Sequence, residues 1–349
     1  MNDLLLFLVI LGGLIIGHEL GHFVAARARG VRIEEFGLGF PPRLMTLFRA
    51  AGTRVTLNLI PLGGFVRPAG EDDPTVPDGL AGASRPTRAI VLLAGPAANL
   101  LLGFLAFTIA FKFAAPDPQR VLITGIAAGS PAESSGLLPG DIITSANGQA
   151  VTNFDSLHKV VIANADKAIQ LEVIRQGTTR LFTVTPRSDH PETEGPIGIT
   201  LGNPILQVGW SRSVLYGVES IRLQIDNLIH LPTRLLQGQI DPEEARVSGL
   251  KGMYDMLVWA GEIDRNAQRP FVTLNLVGVI SIGLALANLL PFPALDGGRL
   301  VFVLYEAVFR RRIAPRYEGW AHAVGFLLLL ILMAYVNIQD FTDPLVLPR

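Results

Sequence analysis

The sequence His18-Glu19-Leu20-Gly21-His22 has the residue types and the spacing of a metal site. On a helix, residues four positions apart lie on one face, so both imidazole rings can reach a single zinc ion. A glutamate beside the first histidine can take a proton from the water that the metal activates. The pattern predicts a zinc centre with His18 and His22 as ligands and Glu19 as the general base of a hydrolytic reaction.

A third protein ligand is needed, because catalytic zinc takes three and keeps one position open. The chain has no cysteine, so this ligand must be a histidine or a carboxylate. Asp296 is the preferred candidate, since it follows an apolar segment that ends in prolines and lets the chain turn inward. Glu34 and Glu35 lie past the end of the helix that carries His18. The alternative for Asp296 is an ordinary helix N-cap, because a helix can start at Gly297.

Four apolar segments are long enough to cross a bilayer, which takes about 20 helical residues. They cover approximately residues 4–26, 89–113, 271–290 and 320–336. The third contains Gly278 and Gly283, and broken helices at membrane depth usually line a cavity or a site. The first has no basic residue before it and no cleavage site after it, so it is predicted to be a retained span and not a signal peptide.

The histidine motif is predicted to lie inside the first span. His18 follows Leu4 by fourteen positions, or roughly 21 Å along a helix, within a hydrocarbon core about 30 Å thick. Ionisable residues are costly at that depth, so three of them in five positions need a partner such as a cation. The alternative is that they form the polar end of a helix that stops early, before Arg27 and Arg29.

Charge sets the expected orientation. Charged residues make up 17% of the 349 positions, below the quarter or so of soluble proteins, and the formal net charge of −1 gives no indication of a nucleic-acid partner. Nine arginines lie between Arg27 and Arg88, and five lie between Arg299 and Arg316. The positive-inside rule places both of these links in the cytoplasm, and hence both termini and the long middle region outside.

The segments between the spans show strand and helix patterns. Residues 54–66 are predicted to form a strand, a turn at residues 61–64 and a second strand. Residues 120–202 alternate short β-type runs with turns, whereas residues 205–268 show an amphipathic helical pattern. The apolar face of that helical region lies either on the membrane surface or against the preceding domain.

Together these motifs resemble the bacterial site-2 proteases, a family of intramembrane zinc metalloproteases. The resemblance covers nearly the whole chain. It rests on residues 18–22, Phe36-Gly-Leu-Gly-Phe-Pro, Pro61-Leu-Gly-Gly-Phe-Val, Ala94-Gly-Pro-Ala-Ala-Asn and Asn288-Leu-Leu-Pro-Phe-Pro-Ala-Leu-Asp-Gly-Gly. It implies that His18, His22 and Asp296 bind zinc and that Glu19 activates water.

The same resemblance implies a β-hairpin that dips into the membrane beside the active site. Residues 54–67 match it, and its edge strand is expected to pair with an unfolded substrate. Substrate contacts are expected from the glycines and the aromatic residue of this hairpin and from an asparagine of the third span. These residues are Gly63, Gly64, Phe65 and Asn288.

The outer β-rich region resembles a PDZ domain through Ser130-Pro-Ala-Glu-Ser-Ser-Gly-Leu-Leu-Pro-Gly-Asp. PDZ domains bind peptide C-termini by adding a strand to a sheet edge. The expected peptide groove consists of Gly195, Pro196, Ile197, Gly198 and Ile199. The segment from Val247 to Lys251 departs from the Gly-Pro-containing stretch that the family carries there.

The predicted fold is a multi-pass α-helical membrane protein with four transmembrane helices, a membrane-associated β-hairpin and an inserted extracytoplasmic PDZ domain of the α+β class. The expected boundaries are 1–30 for the first span, 31–88 for the re-entrant hairpin region, 89–115 for the second span, 116–202 for the PDZ domain, 203–269 for an amphipathic helical linker, 270–298 for the third span, 299–319 for a cytoplasmic link and 320–349 for the fourth span and tail.

The expected function is regulated intramembrane proteolysis in the bacterial cytoplasmic membrane, with Zn²⁺ as cofactor. Expected partners are single-span membrane proteins, such as anti-sigma-factor-like proteins or signal-peptide remnants, together with the lipid bilayer and peptide C-termini. One alternative is an inactive membrane-anchored PDZ scaffold, against which the intact Glu19 argues. The other is a metal transporter, because intramembrane histidines and aspartates also mark ion paths.

Overall fold

The computed structural model describes residues 2–71, 73–191, 194–239 and 246–345. The elements, in chain order, are α1 (Asp3–Ala28), β1 (Ile33–Ala50), β2 (Thr53–Pro68), α2 (Arg85–Phe113), β3 (Val121–Ile126), α3 (Pro131–Ser134), β4 (Ile142–Ala146), β5 (Gln149–Ala150), α4 (Phe154–Ala163), β6 (Ile169–Arg175), β7 (Thr178–Val184), β8 (Ile199–Gly202), α5 (Trp210–Leu236), α6 (Leu250–Ala267), α7 (Phe271–Leu289), α8 (Asp296–Phe309) and α9 (Pro315–Thr342). They form two compact units: Met1–Ile109 with Ser211–Arg349, and Ala110–Trp210.

Four helices of the described chain are long and apolar enough to cross a membrane, namely α1, α2, α7 and the segment Arg316–Thr342 of α9. This confirms the four predicted apolar segments. Small residues let three of these helices approach closely, as is common between membrane helices. A Cβ at Gly21 of α1 would lie 2.8 Å from the Cβ of Ala98 in α2, and one at Gly103 of α2 would lie 2.6 Å from Cδ1 of Ile282 in α7. These contacts bring α1, α2 and α7 together.

Helix α6 packs among the candidate spans, an arrangement that the amphipathic pattern of residues 205–268 did not indicate. It contacts α1, α7 and α9, and its Leu257 is buried with Phe7 and Leu11 of α1. Side chains of α9 also accept backbone N–H groups at the start of α6. Asp340 accepts the Gly249 N–H at 2.8 Å, and Asn337 accepts the Leu250 N–H at 3.0 Å. The apolar face of α6 is therefore covered by other helices.

The β-hairpin is longer than predicted, because β1 begins at Ile33 and β2 ends at Pro68. Its tip is the pair Ala51 and Gly52, with φ of 47° and 83°, as in the left-handed two-residue turns that suit hairpins. The predicted turn at 61–64 is wrong, because these residues lie inside the single strand β2. At this point β2 passes from one side of β1 to the other. Gly37 consequently faces both Thr56 and Phe65 in the register.

A buried polar cluster holds this hairpin together. Glu35 is buried, and it accepts hydrogen bonds from Arg43 Nη2 at 3.0 Å and from Thr56 Oγ1 at 2.9 Å. Asn58 Nδ2 donates to the Gly39 carbonyl at 2.9 Å. Toward the far end of the hairpin, large apolar side chains are exposed: Leu44, Met45, Leu47 and Phe48.

The second unit is a six-stranded sheet in the order β7-β6-β4-β3-β8, with β5 beside β4. Its core contains alternate residues of the strands and one face of α4, including Ile123, Ile143, Leu157, Ile169 and Leu171. Asp141 and Arg175 form an ion pair with an Oδ1–Nε distance of 2.6 Å. Burial alone would raise the pKa of Asp141, but the hydrogen bonds from Arg175 and the Leu138 N–H hold it below its ordinary value.

Candidate metal centre

Helices α1 and α8 place three metal-binding groups together. The Nε2 atoms of His18 and His22 are 3.1 Å apart, and Oδ2 of Asp296 lies 3.1 Å from the first and 3.2 Å from the second. Two atoms bound at about 2.0–2.1 Å to a tetrahedral zinc ion lie about 3.3–3.4 Å apart. The cluster of two nitrogens and one carboxylate oxygen therefore fits zinc in both spacing and donor type.

The other ring nitrogens of the histidines are supported by α2. His22 Nδ1 donates to the Val91 carbonyl at 2.7 Å, which leaves the Nε2 lone pair free for a metal. His18 Nδ1 is 3.4 Å from the side-chain amide of Asn99, whose residue is only 1% exposed. Metal binding through Nε2 requires a proton on Nδ1, so the amide must present its oxygen to His18, an orientation that differs by a simple amide flip.

Gly95 of α2 leaves room for these ligands. A Cβ at this position would overlap His22 Nε2 and lie 2.7 Å from His18 Nε2. Any larger residue at position 95 would therefore displace the imidazole rings from each other. The helix that orients the rings through Val91 and Asn99 thus also provides the space in which they meet.

Asp296 is brought to the histidines by a tight loop between α7 and α8. Helix α7 ends at Leu289 and α8 begins at Asp296, with Leu295 as its N-cap. The N-cap alternative for Asp296 is therefore wrong, because its carboxylate is turned toward the imidazoles. Gly298 permits this turn, since a Cβ there would lie 2.7 Å from the carbonyl carbon of Phe292.

Glu19 lies beside the hairpin on the same cavity. Its Oε2 accepts the N–H of Val66 at 3.0 Å, and a Cβ at Gly64 would lie 3.4 Å from its Cγ. The cavity has a volume of about 400 Å³, and its lining includes Glu19, the two histidines and Asp296. A carboxylate, a metal-binding cluster and a strand edge thus face one space.

Of the other predicted site residues, some line the cavity and others lie apart from the metal-binding cluster. Phe65 and Asn288 line the cavity, and the Asn288 amide donates to the Leu284 carbonyl at 3.0 Å. Gly63 has φ of 115° and packs against the ring of Phe40. Glu34 is paired with Arg32 at 3.9 Å, so it is not part of the cluster.

The expected groove residues lie in the second unit. Ile197 is buried, and the Gly198 carbonyl accepts the N–H of Ala127 at 2.9 Å. Gly195 and Pro196 precede them in a turn, and Ile199 begins β8 at the edge of the sheet.

No role was predicted from the sequence for Asn99, for Gly95 or for the Val91 carbonyl. A signal for Asn99 was present, because a polar residue within an apolar span is rare and usually functional. Gly95 carried a weaker signal, since glycines also serve ordinary helix packing. The Val91 carbonyl has no signal in the residue type at all.

Comparisons relate the whole chain to known proteins. A family model described as peptidase family M50 matches residues 6–332. The chain is 31% identical to a predicted zinc metalloprotease of Campylobacter jejuni, over 97% of this chain and 93% of that protein. It is 29% identical to metalloprotease MmpA of Caulobacter vibrioides, over 95% and 94%, and 27% identical to zinc metalloprotease RasP of Oceanobacillus iheyensis, over 97% and 99%.

Proposed function

The chain belongs to peptidase family M50, and on that premise we propose that it cleaves single-span membrane proteins within the bilayer of the bacterial cytoplasmic membrane. It is a zinc metallopeptidase of the membrane. One observation carries the proposal. The ligand atoms of His18, His22 and Asp296 meet on a cavity that Glu19 and the hairpin strand also line, and the cluster lies among apolar helices.

In this proposal His18, His22 and Asp296 hold zinc and Glu19 is the general base. Zinc, when bound, supplies a Lewis acid that polarises the peptide carbonyl and acidifies a water molecule. Glu19 takes the proton of the attacking water and passes it to the leaving amine. The N–H of Val66 holds the Glu19 carboxylate in place for this transfer.

The hairpin gives the substrate a place to bind as an extended strand. Residues 64–68 pair with residues 33–38 on one side, and in the described chain the register gives their other side no strand partner. The Val66 N–H on that open side points at Glu19. A substrate strand added there would pass the general base, and because a helix shields its peptide bonds, the substrate span must first unwind.

Reconstitution tests this proposal directly. The purified protein is placed in liposomes with a model single-span substrate, with and without a zinc chelator. We expect substrate fragments only in the presence of zinc. Fully zinc-loaded, correctly inserted protein that yields no fragments from several such substrates would contradict the proposal.

Substitution of Gly63 by alanine is expected to lower cleavage roughly tenfold while zinc stays bound. An L-residue at φ of 115° is strained, and the added Cβ would meet the ring of Phe40. A residue with a Cβ in left-handed backbone costs about 1–2 kcal/mol. This free energy corresponds to roughly a five- to thirtyfold change in an equilibrium constant. The measurement is initial cleavage rate together with zinc content.

Gly52 is the matched control for this substitution. It also has positive φ, 83°, but nothing lies within 4 Å of a Cβ built there, and it is at the far tip of the hairpin. Gly52→Ala should therefore reduce cleavage much less than Gly63→Ala. Equal losses in the two variants would mean that the strand beside Glu19 has no special role in substrate binding.

Residues 116–202, within the second unit, are proposed to act as a PDZ-type peptide-binding domain. Its edge strand β8 can accept an added strand. Peptides with an apolar C-terminal residue and a free carboxylate should protect amides 195–202 of the full-length protein from hydrogen exchange. Protection that appears only elsewhere would indicate that this unit is a spacer.

The arginine-rich links support an orientation with both links in the cytoplasm and with residues 116–202 and both termini outside. The absence of native cysteine makes this simple to test with single cysteines. A membrane-impermeant maleimide should label Ser188→Cys in intact spheroplasts and Thr75→Cys only after lysis, since both residues are exposed. The opposite pattern would reverse the orientation.

A further inference from the structure

His322 of α9 touches both sides of the segment that carries Asp296. The N–H of Ala294, two residues before Asp296, donates to His322 Nδ1 at 2.9 Å. The ring also packs edge-on against Phe302 of α8, with centroids 5.5 Å apart. One histidine from the last helix therefore contacts the loop before Asp296 and the helix after it.

The loop that His322 contacts has an unfavourable backbone conformation. Ala294 has φ of 81°, in the left-handed region that residues with a Cβ seldom adopt. Such a conformation persists only when its surroundings hold it in place. Helix α9 supplies these surroundings, because it also approaches the loop closely at Gly325, where a Cβ would lie 2.6 Å from the Cβ of Pro293.

The hydrogen bond defines the state of the ring. A ring nitrogen that accepts the Ala294 N–H must be unprotonated, so the proton of neutral His322 is on Nε2. A side chain without an acceptor at this position would leave a partly buried backbone N–H without its partner, which is unfavourable. The strained loop would then be free to relax, and Asp296 would move with it.

We propose that His322 is a positioning residue for the metal centre: by accepting the Ala294 N–H, it holds the loop in the conformation that directs Asp296 at His18 and His22. This inference rests on the proposed function, in which Asp296 is a zinc ligand. His322 itself does not touch the metal or the substrate. Outer residues that orient a ligand typically change metal affinity by 10–100-fold when they are replaced.

Two substitutions separate the acceptor from the ring. His322→Phe keeps an aromatic ring beside Phe302 but removes the acceptor, whereas His322→Asn places an amide oxygen near the position of Nδ1. We expect His322→Phe to bind zinc about tenfold or more weakly and His322→Asn to stay within about threefold of the wild type. The measurement is zinc competition with a chromophoric chelator, using full-length protein in detergent.

Zinc binding by His322→Phe equal to that of the wild type would overturn the proposal. Equal losses in the phenylalanine and asparagine variants would also overturn it, because the acceptor would then not be the cause. If His322→Phe fails to fold, as judged by melting of the metal-free protein, His322→Gln replaces it. The glutamine amide reaches the Nε2 position instead of Nδ1, so it should lose zinc where His322→Asn keeps it.

Asp296→Ala, measured in parallel, separates this inference from the proposed function. If that variant keeps its zinc, the ligand assignment itself fails. If Asp296→Ala loses zinc and His322→Phe does not, only the positioning role of His322 is rejected.

Discussion

Replacement of Glu19 by glutamine is expected to abolish peptide-bond cleavage while zinc remains bound. The glutamine oxygen can still accept the Val66 N–H, so the contact between α1 and the hairpin is retained. The amide cannot take a proton from the attacking water, and a general base contributes about 10²–10⁴ to the rate. The two measurements are fragment formation from a single-span substrate and zinc per protein.

Glu34→Gln is the matched control for this variant. Glu34 is an exposed glutamate paired only loosely with Arg32, at 3.9 Å. The Glu34→Gln substitution makes the same chemical change outside the cavity. It should leave both cleavage and zinc content unchanged. Normal proteolysis by a Glu19→Gln protein would contradict the assignment of Glu19 as the base.

Asp296→Ala is expected to lose both zinc and cleavage. The substitution removes one of three ligand atoms that lie 3.1–3.2 Å apart, and two histidines alone do not complete a catalytic zinc site. We expect zinc affinity to fall by more than the roughly 100-fold upper range for outer-shell residues. Zinc analysis of the protein purified in detergent measures this effect.

Asp155→Ala controls for the loss of a carboxylate. Asp155 is exposed in the first turn of α4, in the second unit. This variant should bind zinc like the wild type. An Asp296→Ala protein that retains full zinc occupancy would exclude Asp296 as a ligand and would require a different third group.

The histidine pair could be predicted because its geometry is local. Two residues four positions apart on one helix face lie close together whatever the rest of the chain does. Asp296, 278 positions after His18, could be selected only by elimination of other carboxylates and from the prolines that end the apolar segment before it. The structure brings its carboxylate to the imidazoles, although the loop that turns it, with Ala294 at positive φ, has no local sequence signal.

The features that the sequence did not reveal depend on contacts between distant elements. The packing of α6 against α1, α7 and α9 requires all four helices to be in place. Its amphipathic pattern only shows that one face is covered, not what covers it. The full length of the hairpin was missed because the glycines and prolines of residues 36–42 disfavour strands, whereas the Glu35 cluster and pairing on both sides stabilise one there.

The most direct test of zinc-dependent proteolysis within the membrane is the position of the bond that the protein cleaves. The zinc-loaded protein and a single-span substrate are reconstituted in liposomes, and the fragments are identified by mass spectrometry before and after zinc removal and zinc return. We expect a cleaved bond within the apolar span of the substrate, and we expect this cleavage to be lost without zinc and restored with it. Cleavage confined to a flanking soluble segment, or cleavage that persists without zinc, would contradict it.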